Sequence, residues 1–201
     1  MSIDALVEIS RFYGANPDYV LAGGGNTSWK DGDTLYIKGS GYSLAEAVPD
    51  SFVKMDRGAL ARIWEKEYPT SGADDPLGNR RESAVLSDLM ASRRPGEENK
   101  RPSVEVLLHD ILPFAFVVHL HPALVNGLTC SRRGETAMRE IFGEEAVWIP
   151  IANPGFILSK IVKSAIDDFS AAHGKTSTFH IHPSTVRVGI GGGGGRGITF
   201  G

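Results

Sequence analysis

Apolar residues recur at helical spacing over residues 2–13. Ile3, Leu6, Val7 and Ile9 or Phe12 share one side, which predicts an amphipathic helix. Thr34-Leu-Tyr-Ile-Lys38 alternates β-formers behind a Gly-Asp pair and predicts a strand, closed by the tight loop Gly39-Ser40-Gly41. Leu60, Ile63 and Trp64 place a helix over residues 56–67, and a further helix is expected over 80–91. The Pro-, Gly- and Asp-rich stretch 69–79 is a loop, and the charged stretch 93–101 is expected to be exposed. A helix carrying Val104, Leu107, Leu108 and Ile111 is expected to open at Pro102, where the missing N–H costs nothing.

Residues 114–121, Phe-Ala-Phe-Val-Val-His-Leu-His, are strongly β-forming, and Pro122 ends that strand ahead of a helix to about Cys130. A short helix over 135–142 and a strand over 146–151 follow. The clearest stripe, Ile157, Leu158, Ile161, Val162, Ala165, Ile166 and Phe169, makes a helix over 155–172 with Gly174 as its stop. Residues 176–190 predict a last strand. No repeat or internal linker is visible, so the expectation is an α/β domain over 1–190, with helices covering a sheet, and a Gly-rich tail over 191–201.

Composition narrows the class. The 201 residues are 41% hydrophobic and 22% charged with a net charge of −3, which supports a real core and gives no basic footprint for nucleic acid. The apolar runs are too short to span a bilayer, and no basic segment precedes an apolar one at the N-terminus, so neither membrane anchor nor secretory leader is expected. One cysteine, Cys130, cannot pair within the chain, in keeping with a reducing cytoplasm.

Three clusters carry candidate chemistry. His119 and His121 flank Leu120 near a strand end. Side chains at i and i+2 share a face about 7 Å apart along the strand, within reach of one metal. Two ordinary histidines at a strand end are the plainer alternative. Ser103-Val104-Glu105 sits in a first helical turn, where unsatisfied N–H groups attract anions and a glutamate is stabilised. Simple capping is the alternative there. His109, four residues on, either pairs with Glu105 or lies in the core. Gly23-Gly-Gly-Asn-Thr-Ser28 and Lys38-Gly-Ser-Gly41 are both suited to cradling an anion with backbone amides, although neither matches a nucleotide loop.

In combination these segments resemble the class II aldolase/adducin family over roughly residues 2–190. The residues that carry the resemblance are Gly23–Ser28, Ile37–Gly41, Pro102–Glu105 with His109, Val118–His121, Ile149-Pro150 and Pro154-Gly155-Phe156. Their wording is most similar to the aldolase domain of the bifunctional rhamnulose-1-phosphate aldolase/alcohol dehydrogenases. The resemblance implies a three-layer α/β/α fold with a mostly antiparallel central sheet, and a zinc-dependent lyase of carbohydrate metabolism, often a homotetramer. Such an enzyme cleaves a phosphorylated ketose to dihydroxyacetone phosphate and an aldehyde; related members epimerise sugar phosphates, and adducin-like members are non-catalytic oligomeric binding modules. Matched by position, Gly25, Asn26, Ser40, Gly41 and Ser103 would bind the phosphate of a sugar phosphate. Glu105 would be the catalytic acid/base, and His119 and His121 would ligate Zn²⁺ or another divalent metal. The chain departs from the family at its third histidine. Pro183-Ser184-Thr185 or Arg196 stands where an Asn-His-Gly motif belongs, which leaves His182, beside His180, as the candidate third ligand, or both as solvent-facing strand residues.

Overall fold

A computed structural model describes residues 2–21, 24–174, 179–182 and 185–190. The elements run α1 (Ile3–Gly14), β1 (Asn26–Asp31), β2 (Thr34–Lys38), β3 (Phe52–Asp56), α2 (Arg57–Ile63), α3 (Asn79–Ala91), α4 (Val106–Ile111), β4 (Phe116–Leu120), α5 (Ala123–Thr129), α6 (Gly134–Phe142), β5 (Ala146–Trp148), α7 (Phe156–His173), β6 (Phe179–His182) and β7 (Thr185–Ile190). The strands form one seven-stranded sheet in the order β3-β2-β1-β4-β7-β6-β5. Every neighbouring pair is antiparallel except β5 with β6. The mostly antiparallel α/β architecture expected from the sequence is therefore the one found.

Side-chain alternation sends the two faces of each strand to different helices. On one face Leu35 and Ile37 of β2 and Val53 and Met55 of β3 pack with Leu60, Ile63, Val85, Leu89, Val106 and Leu107 from α2, α3 and α4. On the other, Trp29, Phe52 and Phe116 meet Leu6 and Val7 of α1. Full burial of each such side chain contributes roughly 1.5–3 kcal/mol, so the sheet is held as a filling between two apolar layers. Ser2 caps α1, its hydroxyl accepting from the Ala5 N–H, and Gly174 ends α7 at φ 63°, a conformation that suits glycine.

Several expectations are corrected. Residues 26–31 form a strand that runs on from the anion-loop motif, and residues 52–56 form a strand ahead of the helix expected from residue 56. The helix expected from Pro102 begins at Val106, so Ser103 and Glu105 lie ahead of it. The strand expected over 146–151 stops at Trp148, because Pro150 cannot extend the ladder. The last strand is two, β6 and β7, paired antiparallel. In the stretch expected to be exposed, Glu97 is buried, and its carboxylate lies 3.1 Å from Lys100 and 3.6 Å from Lys54. Two flanking ammonium groups are what allow the burial. The Gly-rich tail over 191–201 lies outside the described residues. Among the described residues no helix is long and apolar enough to cross a membrane.

Candidate functional site

The antiparallel pairing of β1 with β4 sets Asn26, the first residue of β1, opposite His119 near the end of β4. Antiparallel partners share a face, so Asn26, Ser28 and His119 all front the α4 side. The turn before α4 closes over them. There the Ser103 hydroxyl accepts from the Glu105 N–H at 3.2 Å, a local bond that holds the glutamate where the helix begins.

Four side chains then meet. The Asn26 amide donates to the Ser103 hydroxyl at 3.2 Å and to Glu105 Oε2 at 3.0 Å. The same Oε2 lies 2.8 Å from Nδ1 of His119, whose side chain is 1% exposed against 11% for Glu105. His121 stands beside His119 with ring centroids 4.8 Å apart and planes tilted by 34°. A carboxylate bound to Nδ1 directs the other ring nitrogen, Nε2, toward a ligand, which is the usual support of a metal-binding imidazole. His119 and His121 are the residues of this set that could hold a divalent metal. Among the described residues no group of three or more His, Cys, Asp or Glu forms a metal cage.

The glycine cluster is packed against this pair. At Gly25, φ is 73°, and an added Cβ would lie 2.9 Å from the His119 carbonyl oxygen and 2.9 Å from Leu44, so no other residue fits. Gly24 borders the His121 ring, and Gly23 lies outside the described residues. The second loop reaches the site through its backbone: the Ser40 N–H donates to the Arg101 carbonyl at 2.9 Å, two residues before Ser103. Gly41 takes φ 90° in open space.

Of the residues singled out from sequence, Gly25, Asn26, Ser103, Glu105, His119 and His121 converge, and Ser40 and Gly41 adjoin them across one backbone bond. The side chain of His182 lies outside what is described; its backbone pairs with Thr185 at the β6–β7 end. His109 lies in the core, as one of its two expected placements had it. Fully buried, it places Nδ1 2.8 Å from the Ser28 hydroxyl, with its ring centroid 6.2 Å from that of His119. Sequence reasoning missed the Asn26–Glu105 bond and the burial of Lys38. Strand alternation through Asn-Thr-Ser-Trp-Lys was the available signal for the first. Burial pulls the Lys38 amine below the usual lysine range, with Glu105 opposing that shift.

Known proteins agree with this frame. The family model for the class II aldolase and adducin N-terminal domain matches residues 4–178. A Bacillus subtilis protein named uncharacterized oxidoreductase YuxG is 28% identical over 173 residues, which is 82% of this chain and 23% of that protein, so the chain spans about a quarter of its length. The N-terminal class II aldolase domain of a conserved Thermoplasma acidophilum protein superposes with a TM-score of 0.74 at 27% identity, covering 94% of this chain and 83% of that one. An L-fuculose 1-phosphate aldolase shares the fold with a TM-score of 0.57 at 15% identity, over 94% of this chain and 74% of its own. Motif order, sheet topology and these matches agree, and the chain belongs to the class II aldolase and adducin N-terminal domain family.

Proposed function

We propose that the chain is a metal-dependent aldolase that cleaves a phosphorylated ketose to dihydroxyacetone phosphate and an aldehyde, working in the cytoplasm as a homotetramer. The observation that carries this reading is the Ser103–Asn26–Glu105–His119 network, which sets a hydrogen-bonded carboxylate against one of two adjacent imidazoles. Zinc or another divalent metal, held by His119, His121 and His182, would supply Lewis-acid stabilisation of the negative charge that C–C cleavage leaves on the ketose fragment.

Strand register supports His182 as third ligand. His119, Arg187 and His180 stand in one row across β4, β7 and β6. The β4–β7 ladder ends at Leu120 and Val186, and His182 pairs with Thr185, the residue before Val186, so His182 lies at the same end of the sheet as His121. Glu105 serves as acid/base, moving a proton to or from the fragment. Asn26 holds its Oε2 in place. Gly25, Asn26, Ser40, Gly41 and Ser103 bind the phosphate, so that binding energy gathered away from the breaking bond orients the ketose.

The test pairs metal analysis of protein purified without chelator with release of dihydroxyacetone phosphate from a panel of ketose 1-phosphates. Wild-type protein is expected to carry about one divalent metal per chain and to turn over one of the panel, and His119→Ala to lose both. A metal-loaded protein that cleaves none of the panel would overturn the aldolase assignment, and interconversion of pentose phosphates would replace it with an epimerase. The second reading, a non-catalytic adducin-like module, draws on the sequence's departure from the family's Asn-His-Gly motif, where Pro183-Ser184-Thr185 or Arg196 stands. It expects oligomers without stoichiometric metal.

A further inference from the structure

Asn26 and Ser28 face α4, and strand alternation sends their neighbour Trp29 to the opposite side of the sheet. There Phe116, Trp29 and Tyr36 occupy adjoining register positions of β4, β1 and β2. Their rings form a stack. Trp29 lies 6.2 Å from Phe116 with planes 17° apart, and 4.9 Å from Tyr36 with planes 22° apart. Phe116 and Trp29 are buried, whereas Tyr36 is only partly so. Trp29 covers one face of the Tyr36 ring. The other face is turned along the row toward Lys54 of β3, the next register partner. Tyr36 and Lys54 line a cleft of about 640 Å³, to which Ile3 and Pro49 add apolar wall. Among the described residues no cation stands over the Tyr36 ring.

Glu97 gives the same cleft its polar chemistry. Its carboxylate is buried, with Oε2 3.1 Å from the Lys100 ammonium and Oε1 3.6 Å from that of Lys54. The second distance is beyond hydrogen-bond reach, so among the described residues Oε1 accepts no hydrogen bond. A carboxylate oxygen so placed, out of water and short of a donor, gains when a donor arrives. Lys100 is committed elsewhere as well, 2.7 Å from Asp50 and donating to the Phe52 carbonyl at 3.3 Å. Lys54 is half exposed and has no closer partner among the described residues. The loop is set in advance: the Glu97 N–H donates to the Arg94 carbonyl at 3.2 Å, and the Lys100 N–H to the Glu97 carbonyl at 3.0 Å. An acceptor fixed in this way loses little freedom when a ligand binds.

The cleft therefore offers one open ring face and, beside it, an acceptor and a donor 3.6 Å apart. A purine carries the complement: a flat π-face, and on one edge an N–H donor next to a carbonyl or ring-nitrogen acceptor. Indole has a donor alone and leaves Lys54 unmatched, and a sugar phosphate has no flat ring for Tyr36. We propose that this cleft binds a purine base, carried by a nucleoside or a nucleotide, with the base stacked on Tyr36, its N–H donated to Glu97 Oε1 and its acceptor facing Lys54. The volume lies within the ordinary range of small-molecule sites. The site is on the other side of the sheet from Asn26 and stands independently of the sugar-phosphate reading.

The test is calorimetry of the whole chain with guanosine, adenosine and their 5′-monophosphates, for wild-type, Tyr36→Leu and Lys54→Met proteins whose folding is checked by circular dichroism. Wild type is expected to bind at least one of these ligands. Tyr36→Leu should weaken that binding about tenfold or more, and Lys54→Met about threefold or more. Similar affinity for a nucleoside and its monophosphate assigns the site to the base from either source, and about a tenfold gain from the phosphate assigns it to a nucleotide. Ribose 5-phosphate, which has the sugar and the phosphate without the base, should displace neither. Displacement by it, unchanged affinity in either folded variant, or no binding of any of the purine ligands to wild type would overturn the proposal. None of these results bears on cleavage of a ketose phosphate, so the two readings fail separately. If Tyr36→Leu does not fold, the ring resonances of Tyr36 in wild-type protein decide. A shift that saturates with added purine supports stacking, and its absence at saturation overturns it.

Discussion

The α4-facing row of β1 has two ends built from similar residues for different ends. At one end Asn26 joins Ser103, Glu105 and His119. At the other, Ser28 meets His109, and Lys30 donates to the carbonyls of Leu112 and Phe114 at 2.7 and 2.9 Å. Both ends bury an imidazole. His109 has the neutral Ser28 hydroxyl at its Nδ1. His119 is paired with a carboxylate and stands beside a second imidazole, which concentrates charge and ligand atoms at one point. Burial of a histidine therefore says little about its role, and its partner says much.

The largest expected effect lies at the Asn26 end. Glu105→Gln keeps the shape and removes the proton acceptor, so turnover should fall about 10²–10⁴-fold with little loss of stability. Steady-state kinetics beside a thermal melt reads both, and retention of near-wild-type turnover would merge the two ends into one structural row. Ser28→Ala should do the reverse. It leaves a buried ring nitrogen of His109 without its hydroxyl, which costs about 1–3 kcal/mol in urea unfolding, while turnover per folded molecule stays within about twofold. A collapse of turnover with stability intact would extend the site along the whole row.

An effect on stability of similar size, seen only at high pH, is expected at Lys30. Burial, as the main cause, brings its amine down from 10.5 to about 8, with Asp110 opposing and Arg57 assisting. Between those two values the unfolded chain holds a proton that the folded protein has lost, so wild-type stability rises with pH across that window. Below about pH 8 both states are protonated and the difference is flat. Relative to Lys30→Met, wild type should gain on the order of 2 kcal/mol from the bottom of the window to the top. A flat difference would show that Lys30 is better hydrated than its carbonyl contacts imply.

Much of this was legible along the chain. The amphipathic stripes of α1, α3 and α7 and the alternation of β2 follow local periodicity, which a helix or strand imposes whatever surrounds it. β1 was hidden because Asn26, Lys30 and Asp31 are poor strand formers and the segment follows a glycine cluster. They are held there by ladders to β2 and β4 on either side. The start of α4 slipped to Val106 because the Ser103 hydroxyl captures the Glu105 N–H before the helix can. Glu97 looked like surface charge until Lys54 and Lys100 were brought to it from β3 and from the end of its own loop.

Residue types and their spacing alone determined that this chain makes an α/β domain of one family, with two imidazoles near a strand end, a glutamate before a helix and two small glycine loops. Those are properties of short segments, set by backbone sterics and side-chain chemistry. Only the tertiary structure decided that Asn26 grips Glu105, that Glu105 faces His119 while His109 faces Ser28, and that Lys38 is sealed beneath its own loop. Each of those pairings depends on which strands lie side by side and in what register, and no local pattern encodes that.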